Sequence, residues 1–150
     1  MIADEVITPA VRSRIESAIR QAEKGTSAEI RVHIEDECKE DVLDRAAYIF
    51  ADLNMHKTKL RNGVLIYVAV EHRKLAILGD GGINGQVENN FWQSVRDAMI
   101  EHLAKDQIEA GVMKAVMLVG EKIKALFPFQ AGDINELSNS VTTGKSSNNS

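Results

Sequence analysis

Gly63-Val64-Leu65-Ile66-Tyr67-Val68-Ala69-Val70 decides the architecture. Its odd and even positions are equally apolar. A strand with one wet face alternates, whereas a strand covered on both faces does not. The run is also far shorter than the ~20 residues of a membrane helix. It reads as the central strand of a sheet with a layer on each side.

The neighbouring segments extend that reading. Glu71-His72-Arg73 is a short connection, and Lys74 to Leu78 is a second strand that pairs with the first as an antiparallel hairpin. Upstream, Asn54 to Asn62 (NMHKTKLRN) is polar and basic, and reads as a loop. Val42 to Leu53 has helical spacing, with Leu43, Ala46, Ala47, Ile49 and Phe50 in one stripe. Ala28 to Ile34 alternates, placing Ile30, Val32 and Ile34 on one face and Glu29, Arg31 and His33 on the other. Strand, helix and central strand make a right-handed parallel βαβ unit. With the hairpin added, the sheet is mixed.

Helices complete both layers. Thr8 caps and Pro9 opens the first element, which carries Val11, Ile15, Ala18, Ile19 and Ala22. Gly25 is expected to end it in the left-handed conformation. Gly79 to Gly85 (GDGGING) is a glycine-rich loop, followed by a helix with Phe91, Trp92, Val95, Met99 and Leu103. Asp106, with Glu109 three residues on, is expected to cap a last helix that Pro128 stops. The fold class is therefore α/β: a three-layer α/β/α sandwich with a small mixed β-sheet flanked by helices. Residues 1–129 form the domain and 130–150 a polar, mobile tail. In the stretch from Phe127 to Leu137, which spans that boundary, Phe129, Ile134 and Leu137 are read as folding back on the sandwich. Residues 139–150, with Val141 as their one strongly apolar side chain, are read as dispensable.

Composition narrows the partners. The 150 residues carry a net charge of −4, which gives no long-range attraction to nucleic acid or anionic lipid. Neither nucleic-acid binding nor direct membrane insertion is expected. The N-terminus lacks the basic and apolar regions of a secretion signal, so a cytoplasmic location is expected. The single cysteine, Cys38, excludes an intrachain disulfide and follows acidic residues, which argues against a nucleophilic role. No HExxH pair and no Gly-x-Ser-x-Gly elbow is present.

The glycine-rich loop carries the strongest local signal. Gly79, Gly81 and Gly82 leave the backbone free to present N–H groups to a ligand, with Asn84 beside them. The loop fails the dinucleotide fingerprint at Asn84 and lacks the P-loop lysine. Its carboxylate, Asp80, either caps the next turn or serves as ligand or catalytic base. Asp80 with Glu29 and Asn62 would make an oxygen-rich site of the kind calcium or magnesium accepts. Lys59 and Arg61 belong to a basic loop that is either solvated or steers a phosphate group. His33 is read as part of an edge strand's solvated face.

Arg61-Asn62-Gly63-Val64-Leu65, Arg73-Lys74 and Gly79-Asp80-Gly81-Gly82-Ile83, in this order of elements, resemble the TPM domain family over about Ile7 to Phe127. Short bacterial members with Gly-Asp-x-Gly-Ile-Asn followed by Phe-Trp are similar to Gly79 to Asn84 and Phe91-Trp92. The resemblance implies a cleft at the strand ends, divalent-cation binding with calcium as the usual ion, and a phosphatase activity toward a small phosphate ester. Two positions depart from the pattern. Arg61 stands where many exported members have Asp, and Asn84 where many have Glu. Both remove negative charge. The alternative is a non-catalytic interaction or assembly module that binds a protein partner through the same cleft.

Overall fold

The computed structural model describes residues 2–129 and 141–144. Strands β1 (Glu29–Glu35), β2 (Gly63–Ala69), β3 (Lys74–Gly79) and β4 (Val141–Gly144) form one sheet in the order β3-β2-β1-β4. β1 and β2 run parallel from the Glu29–Gly63 pair to the Glu35–Ala69 pair, and β3 is antiparallel to β2. The mixed sheet is thus as expected, and β2 is buried at every position because helices cover both its faces.

The larger layer consists of α2 (Pro9–Glu23), α5 (Phe91–Leu103) and α6 (Ile108–Leu126). They pack on Ile30, Val32, Ile34, Val64, Ile66 and Val68, with Ile15, Ile19, Met99, Val112 and Ile123 from the helices fully enclosed. Each such side chain contributes roughly 1.5–3 kcal/mol by leaving water. The opposite layer is thinner. There α3 (Val42–Asp52) and a 3₁₀ turn (Met55–Lys57) cover Leu65, Tyr67, Ala69 and Ala76. Asp41 starts α3 by accepting from the Leu43 and Asp44 amides. Only Ala46 and Ile49 of the predicted stripe are buried; Leu43 and Ala47 face water because the layer is one helix wide.

Four local expectations change. A short helix, α1 (Ala3–Val6), precedes Thr8-Pro9; it is held by Ala3 N–H donating to Asp36 Oδ1 at 2.8 Å. Gly25 does not enter the left-handed region. A Cβ there would meet Lys124 Cε at 2.7 Å, a flexible side-chain end that can move aside. Asp106 does not cap α6. It has φ 58°, closes α5 through its N–H to Leu103 O, and pairs with Arg73, while Gln107 takes the cap position. Finally, residues 141–144 are a strand rather than mobile tail. β4 runs parallel to β1, and Val141 is buried in the main core. Of the predicted fold-back, Phe129 is exposed, its N–H donating to Gly25 O. Ile134 and Leu137 lie outside the described residues.

Candidate functional site

Where β2 begins, three predicted residues come to one end of the sheet. Glu29 pairs with Gly63 in the β1–β2 register, Asn62 precedes it, and Asp80 N–H donates to Gly63 O at 2.9 Å. All three are buried. Glu29 and Asp80 flank Gly63, two strand spacings apart, or about 10 Å. Met55 sits over that glycine; its carbonyl would lie 3.2 Å from a Cβ at position 63. The protein itself thus fills the space between the two carboxylates.

Asp80 takes the capping role that the sequence offers, and adds an ion pair that the sequence did not show. It caps α4 (Gly81–Asn84), accepting from the Gly81 amide at 2.8 Å. It also receives a two-pronged ion pair from Arg61, Nε to Oδ2 at 2.7 Å and Nη2 to Oδ1 at 2.8 Å. Burial alone would raise the Asp80 carboxyl; the guanidinium and the amide outweigh it and hold it below the ordinary range. Arg61 reaches this pose from a backbone with φ 52°. A calcium or magnesium ion needs several oxygens with no cation already on them. With Arg61 on both oxygens of Asp80, such an ion would first have to displace the guanidinium. Among the described residues no group of three or more His, Cys, Asp or Glu has a metal-holding arrangement.

Two of the loop glycines, Gly79 and Gly82, serve close packing. A Cβ at Gly79 would meet Trp92 Cζ2 at 2.5 Å, and one at Gly82 would meet Leu60 O at 2.2 Å and Arg61 O at 2.6 Å. Asn84 accepts from the Trp92 indole N–H at 3.0 Å and donates to Gly79 O at 2.7 Å. Gly81 and Gly85 have open space where a side chain would go. Lys59 and Arg61 lie exposed on the preceding loop, beside exposed Leu60.

A second polar group, not foreseen as a unit, occupies the other end of the same face. Glu35 is 4% exposed. It accepts from Arg45 Nε at 3.0 Å and Nη2 at 2.5 Å, and from Tyr67 OH at 2.5 Å, and it contacts His33 Nε2 at 3.2 Å. Burial by itself would raise this carboxyl; the bonds from His33, Arg45 and Tyr67 instead lower it to about 2. Burial, and then the same carboxylate, push the Tyr67 phenol up. His33 is buried, not solvated as expected, because Thr142 of β4 covers it at 2.7 Å and Tyr67 lies parallel to its ring. At the start of β1, Glu23 accepts from Ile30 N–H at 2.7 Å. Burial raises its carboxyl to about 7 against that bond, with Glu29 adding repulsion.

Cys38 is buried, its Sγ donating to Glu40 O at 3.3 Å. No described helix is long and apolar enough to cross a membrane.

Fold and site together define a class: a mixed-sheet α/β/α sandwich with a capped acidic residue where the glycine-rich turn meets the sheet. The model of the TPM domain family matches residues 2–122, and the chain belongs to that family. It is similar to the BA42 protein of the psychrophilic bacterium Bizionia argentinensis, solved by NMR, at 42% identity and a TM-score of 0.84, over 91% of this chain and 94% of that one. Two solution NMR structures share the fold alone. One is the N-terminal domain of a P. gingivalis protein, at 16% identity and TM-score 0.69 over 83% and 81% of the two chains. The other is the N-terminal domain of the Corynebacterium glutamicum protein cg2496, at 13% and 0.64 over 87% and 81%. No curated protein matches the sequence.

Proposed function

We propose that this TPM domain works by binding a protein partner rather than by turnover. One observation carries the reading: Arg61 holds both oxygens of Asp80, the residue that would otherwise serve as base or cation ligand. A carboxylate in a bidentate arginine pair is a poor base, and a guanidinium already supplies the positive charge a cation would bring. The loop before β2 then offers a binding surface. Lys57, Lys59, Leu60 and Arg61 are exposed together on an otherwise acidic chain, which suits an acidic segment with an apolar anchor. Hydrolysis of a generic aryl phosphate should stay at background across pH, with or without calcium or magnesium. Turnover that Asp80→Asn abolishes would overturn the reading.

The second reading is divalent-cation binding with phosphatase-type hydrolysis of a small phosphate ester. The burial of Glu29, Asn62 and Asp80 at one end of the sheet favours it, as does the Asn62 Nδ2 group, which has no hydrogen-bond partner among the described residues. It requires Arg61 to leave Asp80. Thermal unfolding separates the two. A native-state ligand at a hundredfold excess over Kd adds about 2.7 kcal/mol, or about 8 °C for a domain this size. The wild type should not shift with calcium, magnesium or chelator, whereas Arg61→Asp should shift upward with calcium. A shift of that size in the wild type supports the cation reading instead.

A further inference from the structure

The β1 edge that faces away from β2 is closed in two ways. At its start, Ile30 N–H is taken by the Glu23 carboxyl. From Val32 to Glu35 it is paired with β4, and beyond that Asp36 N–H donates to Gly144 O at 3.2 Å. β4 is also gripped from its far side. Val141 N–H donates to Glu16 Oε2 at 2.9 Å, and the Arg12 guanidinium donates to Val141 O. Both α2 side chains hold main chain, so they would hold any non-proline residue at that place.

The side chains of β4 are read individually. Val141 is 2% exposed and sits in the main core. The Thr142 hydroxyl meets His33 Nδ1 at 2.7 Å and donates to Val32 O at 3.3 Å. At Gly144 a Cβ would come within 2.8 Å of Glu35 Cγ and Oε1, and Glu35 cannot yield because Arg45, Tyr67 and His33 fix it. Thr143 alone is not constrained by a contact of this kind. The groove thus selects a pattern: small and apolar, hydroxyl-bearing, free, glycine. Main-chain pairing for affinity with side-chain selection at particular positions is how extended peptides add to sheet edges. The occupant is also weakly anchored for a sheet element. It is four residues long and encloses one apolar side chain, so it can open locally without global unfolding.

We propose that the groove between α2 and the outer edge of β1 is a docking site for an extended protein segment of the pattern Val-Thr-x-Gly, added parallel to β1. Residues 141–144 are its occupant in cis, displaced by a partner segment of the same pattern. Because the cis strand belongs to the same chain, its pairing is intramolecular, and a partner competes only when it is abundant or when the cis strand is disabled.

The test uses the full chain and a fluorescein-labelled peptide of residues 139–146 (NSVTTGKS). Gly144→Val places a side chain against Glu35 and evicts the cis strand. With the fold confirmed by circular dichroism, this variant should bind the peptide at least about tenfold more tightly than wild type does. A peptide carrying the same Gly→Val change should not bind, and adding Arg12→Ala to the protein should weaken binding. A folded Gly144→Val protein that takes neither peptide, or both alike, overturns the proposal. Should Gly144→Val fail to fold, spin-labelled peptide in excess over wild type decides the matter by NMR. Broadening at the Ile34 and Asp36 amides with loss of the Val32–Val141 contact supports the docking site, and an unchanged β1 edge refutes it. A wild-type dimer that free peptide dissolves would assign the groove to a second copy of this chain and overturn the partner assignment.

Discussion

Glu35→Gln removes one charge and almost no volume from the most heavily bonded side chain on the α3 face of the sheet. In the wild type the carboxylate accepts from Arg45 twice and from Tyr67, and touches His33. Its pKa falls from the ordinary 4.5 to about 2 in the folded protein. A depressed carboxyl contributes stability that is fully present above the unfolded value and lost as pH falls through the folded one. Here the window runs from about 4.5 down to about 2, which corresponds to about 3 kcal/mol. In the variant, the Gln amide N–H₂ must face either the Arg45 guanidinium or the Tyr67 hydroxyl, and the half-buried Arg45 guanidinium loses its counter-charge. Breaking one side of such a pair costs about 3–5 kcal/mol, a large share of the 5–15 kcal/mol that holds a typical domain. Urea unfolding followed by Trp92 fluorescence, repeated from neutral pH downward, measures both effects. The variant should be about 3 kcal/mol less stable at neutral pH, and the gap should close toward pH 2. An unchanged urea midpoint at neutral pH, or a gap that persists undiminished in acid, would refute the argument that this network is a net stabiliser.

Other substitutions probe separate parts of the same account. Gly82→Ala should destabilise by about 1–3 kcal/mol, because its Cβ meets two backbone carbonyls, whereas Gly81→Ala meets nothing and should be tolerated; chemical denaturation of the pair checks this. Glu23→Gln should stabilise the protein above neutral pH and leave it unchanged near pH 4.5, since a carboxyl raised to about 7 supports the fold below 4.5 and loses that support as pH rises through 7; thermal unfolding at the two pH values tests the sign. Truncation after Ser138 should lower the melting temperature, because burial of Val141 and the β4 ladder go with it, at roughly 1.5–3 kcal/mol for the side chain alone.

What the sequence made legible follows from periodicity. β2 and β1 are marked by apolar runs of contrasting period, and the hairpin by its short connection, so sheet order and layer count could be read directly. β4 could not be read. Only Val141 carries an apolar signal, and what holds the strand is main-chain bonding to β1, Glu16 and Arg12, which leaves no mark on hydropathy. Glycine was misleading in a different way. Gly25, Gly79 and Gly82 read as freedom of φ, yet Gly79 and Gly82 stand where another group approaches too closely for a Cβ, and positive φ falls instead on Asn54, Arg61, Arg73 and Asp106. At the site, the structure brings Asp80, Asn62 and Glu29 to one sheet end, with Glu29 two strands from Asp80 rather than on a neighbouring one. The pairing that governs Asp80 joins residues 19 apart, across a strand and a hairpin, and is invisible to local spacing.

Two arginine–carboxylate pairs now bracket the α3 face of the sheet. Arg61 neutralises Asp80 where β2 begins, and Arg45 neutralises Glu35 where β1 ends. They differ in solvation: the Arg61 side chain is 56% exposed and that of Arg45 32%, over carboxylates that are both enclosed. An exposed cation over a buried anion is exchangeable, because its own hydration offsets part of what the pair loses on opening. The pair closed in on by Tyr67 and His33 is not. On the proposed reading, the Asp80 end is where an acidic partner segment can enter, by drawing the Arg61 guanidinium toward itself. The Glu35 end is a fixed wall, and its rigidity is what allows Gly144, and no larger residue, to lie against it. Binding at the first site and selection at the second rest on the same chemistry at two degrees of burial.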